Sequence, residues 1–191
     1  MKILVVNKFA PNHPDAGGAE KRLEEVCERL GQQHEIHVLG AANNTTAQET
    51  DAYTLHHPPM LDNIFLIYLM LSVALPFYAL YLKPDVIYED ISVFPWFAPF
   101  TCFWVNSVSI IHNFNGRELL TRKQYVKGSL LWVGDVLTKQ MYRSETMIVV
   151  SKHMEEALER EGFEDIKLIH NGVDQDLYTV ESKATPDRLL Y

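Results

Sequence analysis

The sequence predicts an α/β fold, a doubly wound and mainly parallel sheet with helices on both faces. Six short apolar runs, at residues 3–6, 36–39, 86–88, 108–111, 147–150 and 166–169, alternate with longer stretches of helical periodicity. Strand, crossover helix and parallel strand leave that alternation in a sequence. Glycines punctuate it: Gly17-Gly18 precede the first helical stretch and Gly162 follows the last, where tight turns and helix ends favour glycine. With 191 residues, 47% of them hydrophobic, the chain can build one domain with a sizeable core, and disorder is excluded.

The first strand, 3–6, runs into NKFAPNHPDAGGAEKRL. The helix that follows places Leu23, Val26, Cys27 and Leu30 at i, i+3, i+4 and i+7, with Gly31 expected to close it. After the strand at 36–39, residues 41–52 are polar and read as a loop. Residues 64–82 then carry no charge between Asp62 and Lys83, a length that suffices to cross a bilayer. They fall between strands of the alternating pattern and contain Tyr68, Pro76, Tyr78 and Tyr81. The expectation is therefore packed helices, with a membrane-interfacial surface and a true span as the alternatives. The aromatic stretch 93–105, with Trp96, Phe97, Phe100, Phe103 and Trp104, suits an interfacial surface, a core or a partner surface. A further helix is expected over 128–143, its apolar stripe formed by Leu130, Val133, Leu137 and Met141. After the strand at 147–150, Ser151 stands as N-cap, Met154, Ala157, Leu158 and Glu161 share one narrow face, and Gly162 stops the helix. Ile166, Leu168 and Ile169 form the last strand, and His170-Asn171-Gly172-Val173 follow at its carboxyl end, where open parallel sheets bind ligands.

A formal charge of -8 excludes a nucleic-acid groove as the leading function, since phosphate backbones need clustered positive charge. Cys27 and Cys102 are far apart without CxxC spacing, which suits a reducing compartment, and the first residues are too short an apolar run for a secretory signal. The expected setting is the cytoplasm, so the sequon-like Asn43-Asn44-Thr45 carries no meaning. GxGxxG, Walker, HExxH and GxSxG patterns are missing from the sequence, and the histidines, including His56-His57, lack metal-ligand spacing.

Several residue types remain that suit chemistry. Gly17 and Gly18 let the backbone approach a ligand where a helix start attracts an anion such as a phosphate; an unliganded tight turn is the alternative. His112 follows the strand at 108–111 and leads into Asn113-Phe114-Asn115-Gly116-Arg117 at a strand's carboxyl end, as a ligand contact or a hydrogen-bonded structural residue. Arg117, Arg122, Lys123 and Lys127 form a local basic run, fit for an anionic acceptor, lipid phosphates or plain solvation. Glu89 and Asp90 end another strand, positioned to orient sugar hydroxyls or to be exposed polar residues.

Gly17-Gly18-Ala19-Glu20 after the first strand, His112 after a central strand, then VVSKHMEEAL and HNGVD in that order, resemble the amino-terminal half of glycosyltransferase family 4. The resemblance implies a Rossmann-like domain, one half of a GT-B fold, in an enzyme that moves a sugar from a nucleotide-sugar donor with retention and without metal or other cofactor. It implies that Gly17 and Gly18 touch the donor diphosphate, that His112 is the catalytic-site histidine near the reacting sugar, and that Ser151, Asn171 and Gly172 line the cleft. Glu20, Asp90, Asn115 and Arg117 are the further candidates for the cleft or acceptor side. Expected partners are the nucleotide-sugar, a sugar or lipid-linked acceptor, a carboxyl-terminal donor domain and a peripheral membrane contact. Residues 1–180 would form the amino-terminal domain and 181–191 a linker with the start of that donor domain, so the chain by itself is expected to be inactive. The alternatives are a natural half-enzyme or membrane-recruiting binding subunit, and half of a sugar-nucleotide epimerase on the same fold.

Overall fold

Seven strands, β1 (Lys2–Phe9), β2 (Glu35–Ala41), β3 (Thr54–His56), β4 (Val86–Ile91), β5 (Asn106–Ile111), β6 (Thr146–Val149) and β7 (Asp165–Leu168), pair in parallel in one sheet. Their order is β3-β2-β1-β4-β5-β6-β7. The structure, a computed structural model, describes residues 1–11, 13, 17–42, 49–58, 63–112 and 125–172, without the side chains of 125–128, 130 and 131. Among the described residues, five helices connect the strands: α1 (Gly18–Gly31), α2 (Ile64–Leu82), α3 (Ala98–Thr101), α4 (Tyr125–Tyr142) and α5 (Lys152–Glu161).

The strands are apolar without alternation because both sheet faces are covered. Ile3 and Val5 join Leu23 and Cys27 of α1 in one core. Leu4 and Val6 join side chains of α2, α3, α4 and α5 in the other. Among the described helices the winding is thus asymmetric, one on the first face and four on the second, as the expected doubly wound architecture allows.

Four local expectations are corrected. The strand β3, three residues at the sheet edge, was not foreseen: Leu55 is its one buried apolar side chain, too little for a periodic signal. Gly31 does not close α1 in a left-handed cap; it is the last helical residue, followed by Gln32 in right-handed geometry. Glycine is needed there because a Cβ would meet the Ala52 carbonyl oxygen at 2.3 Å. Residues 64–82 form one continuous helix around Pro76, started by Asn63, whose Oδ1 accepts from the Phe65 and Leu66 N–H groups, and stopped by Lys83 at φ 52. Finally, the buried stripe of α4 is Gly134, Thr138 and Tyr142, not the predicted one, and Val133 is exposed. A Cβ at Gly134 would lie 2.2 Å from the Val93 carbonyl, so the helix makes its closest approach through its glycine, while Leu137 is half-buried, Met141 packs at the margin of the core, and the Leu130 side chain lies outside the described residues. Helix α5 follows expectation: Ser151 Oγ accepts from the Met154 N–H at 3.3 Å, Met154 and Leu158 are buried, and Gly162 takes φ 83.

Candidate functional site

Because every strand runs the same way, the carboxyl ends of β1, β4, β5, β6 and β7 share one sheet edge. The chain leaves β1 for β2 and β3, then returns through α2 to β4 on the other side of β1. The strand order therefore switches direction between β1 and β4, where a crevice opens in sheets of this kind.

Strand β4 brings two carboxylates to that edge, and both are fully buried. Their reading as exposed polar residues is overturned, because the strand continues to Ile91 and encloses them. As neighbours in a strand they point to opposite faces. The Asp90 carboxylate straddles His112 Nε2, with Oδ1 at 3.0 Å and Oδ2 at 3.1 Å. The hydrogen bond runs to Oδ2; Oδ1, although as close, has no donor directed at it. A carboxylate oxygen accepts, so Nε2 carries the proton in this pair and Nδ1 is the ring nitrogen that Asp90 does not engage. The ring is 14% exposed. Behind the pair, Trp96 Nε1–H donates to the Asp90 carbonyl at 2.7 Å. Tyr68 of α2 stacks on Trp96 at 4.8 Å between ring centres, and its hydroxyl pairs with Ser92 Oγ at 2.8 Å.

On the other face, Glu89 Oε2 accepts from the Tyr142 hydroxyl at 2.7 Å and Oε1 from Ser109 Oγ at 3.3 Å. Tyr142 in turn accepts from the Phe97 N–H at 2.8 Å. Burial pushes the Glu89 carboxyl up to about 7, against the downward pull of the donors from Tyr142, Ala98 and Ser109. Burial and the neighbouring Glu89 raise the Tyr142 phenol. The network ties β4, β5, α3 and α4 together directly behind the Asp90 position. Sequence reasoning missed its supporting role; the signal was Ile91, which shows that the acidic pair lies within the strand.

Across the switch point stands the amino terminus of α1. Gly17 provides its extended N-cap position at φ -104, and no side chain caps the helix. The Glu20 carboxylate, predicted for the cleft, is buried and accepts the Gly17 N–H at 2.7 Å. First-turn N–H groups left without a cap carry partial positive charge. Among the described residues, a Cβ on Gly18 would meet nothing within 4 Å, and one on Gly17 only the Glu20 carboxylate at 3.4 Å. Neither glycine is demanded by packing of the described residues or by a left-handed backbone, so the room around a Cβ at Gly18 is their distinguishing feature.

Farther along the same edge, Ser151 caps α5. His170 Nδ1–H donates to the Val150 carbonyl at 3.2 Å, and exposed Asn171 and Gly172 follow β7. Asn115 and Arg117, the rest of the basic run through Lys123, the side chain of Lys127, and residues 173–191 lie outside the described residues. A cleft of about 400 Å³ lined by Glu24, Glu28, Gly31, Gln32, Thr50 and Tyr53 sits at the carboxyl end of α1. That is the sheet edge opposite His112, and the cleft is unrelated to the constellation at the switch point.

A family model described as Glycosyltransferase Family 4 matches residues 16–177. No curated protein sequence matches the chain. Among solved structures it is similar to the sucrose-phosphate synthase of Thermosynechococcus elongatus, with a TM-score of 0.70 and 13% identity over 92% of this chain and 49% of that one. It is also similar to Anabaena HepE in complex with UDP and glucose, with a TM-score of 0.62 and 18% identity over 93% of this chain and 46% of that one. A glycosyltransferase of Rickettsia africae gives a TM-score of 0.59 and 14% identity over 92% of this chain and 44% of that one. The chain thus spans about half the length of these structures, and at such identity the likeness shows the fold.

Proposed function

The chain belongs to glycosyltransferase family 4, and on that premise we propose that it is the acceptor-binding half of a retaining GT-B enzyme that moves a sugar from a nucleotide-sugar donor to a sugar or lipid-linked acceptor. One observation carries the reading: the Asp90-held His112 and the uncapped start of α1 lie at the same sheet edge beside the switch point, with no described residue over Gly18.

In the transfer, the bond from the anomeric carbon to the diphosphate breaks, a bond to the acceptor oxygen forms, and the acceptor proton leaves with the diphosphate. Negative charge grows on the departing group. The N–H groups of Gly18, Ala19 and Glu20 suit that charge, since a helix start favours an anion and fixed donors are worth most where charge develops. In this reading the helix start and basic side chains take the role a metal would otherwise have. His112 offers Nδ1 to a sugar hydroxyl while Asp90 holds its other nitrogen, which orients the sugar. Glu20 acts indirectly, by fixing Gly17, and Ser151, Asn171 and Gly172 form the far rim. The donor's remaining contacts would come from a second domain, so the chain alone binds donor weakly and turns nothing over. A cytoplasmic setting suits its two buried free thiols, Cys27 and Cys102.

UDP-glucose is the first probe, because HepE was solved with UDP and glucose. Ligand-observed NMR at millimolar donor should detect weak binding to the 191-residue chain. Gly18→Val, whose Cβ meets no described residue, should fold as stably as the parent, within about 0.5 kcal/mol, yet lose the signal, and His112→Ala should weaken it. Parental binding by both variants would refute the site assignment.

A further inference from the structure

The outer face of α2 leaves a surface that the described residues do not cover. The inner face of the helix, with Leu71, Leu75 and Ala79, is packed into the core. Its outer stripe, Phe65, Leu69, Val73, Phe77, Leu80 and Tyr81, is 53 to 78% exposed. Twelve of the fifteen exposed large apolar side chains among the described residues lie on one side of the sheet: seven on α2, three at α3 and two on α4. Helix α3 packs against both α2 and α4, so the three elements adjoin.

Charge decides what fits there. Residues 64–82 and 91–111 contain no Asp, Glu, Lys or Arg, in a chain with 17 basic and 25 acidic residues. A specific protein partner needs a polar rim and about one hydrogen bond per 100–200 Å²; the outer stripe offers one hydroxyl, that of Tyr81. Hydrocarbon needs none. Among the described residues, α2 is the one helix long and apolar enough to cross a membrane, yet its inner face is bound to the sheet, so it can only lie flat. Phe103 and Trp104, 78% and 45% exposed beside α3, are of the type that settles at headgroup level.

We propose that this surface seats on a lipid bilayer, with α2 lying in the interface plane and its outer stripe inserted among the acyl chains. The proposal stands on the surface itself and rests on the transferase reading only for its purpose, presenting a lipid-linked acceptor to the cleft. Tyr68, on the inner face of the same helix, stacks on the Trp96 that holds the Asp90 carbonyl, so the seated helix borders the site.

Flotation of the 191-residue chain with neutral phosphatidylcholine vesicles, and with vesicles containing anionic lipid, tests this at low and high salt. The chain is expected to float with both, and to stay bound to neutral vesicles in high salt, because apolar burial is not screened. The exposed pair Leu69→Gln and Phe77→Gln should cut partitioning at least about tenfold, whereas Leu30→Gln on α1 should leave it unchanged. Brominated lipid should quench Trp104 and Trp132 and spare Trp96, a readout on the parent chain that needs no variant to fold. Absence of flotation with either lipid, flotation indifferent to the Gln pair, or a dimer that the Gln pair dissolves would each overturn the proposal. Vesicle binding and UDP-glucose binding are read separately, so loss of one leaves the other standing.

Discussion

Asp90 and Glu89 show how one strand holds two buried carboxyls by different means. Asp90 faces an imidazole at 3.1 Å, and Glu89 faces hydroxyls. If Asp90 fixes the orientation of His112, Asp90→Asn replaces an acceptor-only group by an amide that also donates, and the Nε2–H tautomer loses its preference. Two-bond proton–nitrogen correlation of the His112 ring at neutral pH reads this directly. The parent should show Nε2 protonated and the variant a mixture; an unchanged spectrum would sink the positioning role. His112 itself was legible in the sequence, because a histidine just past a central apolar run lands at the carboxyl edge of a parallel sheet. Its partner was not: the pairing joins residues 22 apart in the chain, and only the pairing of β4 with β5, which sets Asp90 opposite Ile110, brings them within reach. Gly17 and Gly18 were legible as a turn, whereas the room that the described residues leave around a Gly18 Cβ was visible only once α1 was in place.

At the scale of elements, six strands and the first and last helices were legible because apolar runs and glycine punctuation report burial directly. Orientation was less so, as α4 shows. Counting apolar residues selects Val133 and Leu137, but the helix turns toward the sheet the side that allows closest approach, through Gly134, with Thr138 Oγ1–H bonded to the Gly134 carbonyl at 2.9 Å and Tyr142 reaching Glu89. Gly134→Ala sets two effects in opposition. The helix interior gains about 1 kcal/mol of propensity, while a Cβ 2.2 Å from the Val93 carbonyl forces the helix away at a cost of about 1–3 kcal/mol or more. Backbone on both sides leaves nothing flexible to yield, so the clash should win. Urea titration should show a net loss of about 1–2 kcal/mol, and a gain would mean that α4 sits farther from residue 93.

The whole molecule carries the Glu89 network as a pH dependence of its stability. The carboxyl titrates at about 7 in the folded chain, above its usual 4.5, so between those values the unfolded chain has lost a proton that the folded chain keeps. Stability from this group is complete below about pH 4.5, declines as pH rises to about 7, and is level beyond; the shift bounds the loss at about 3 kcal/mol. Glu89→Gln keeps the acceptor for Tyr142 and cannot ionise. Urea midpoints at pH 5 and pH 8 should therefore converge in the variant relative to the parent, and equal slopes in both would assign the dependence to other groups. The strand order has a different consequence, in time. Ile3 pairs with Ile36 on one side and with Val86 on the other, and no hairpin joins any adjacent pair of strands in this sheet. At about 5–20 residues per second, a ribosome needs about 4–17 s after making β1 to deliver the partner on its second edge. By the end of that interval the uncharged α2 is made and has only β1, β2 and β3 to lie on, so the nascent chain is most prone to aggregate just before β4 emerges.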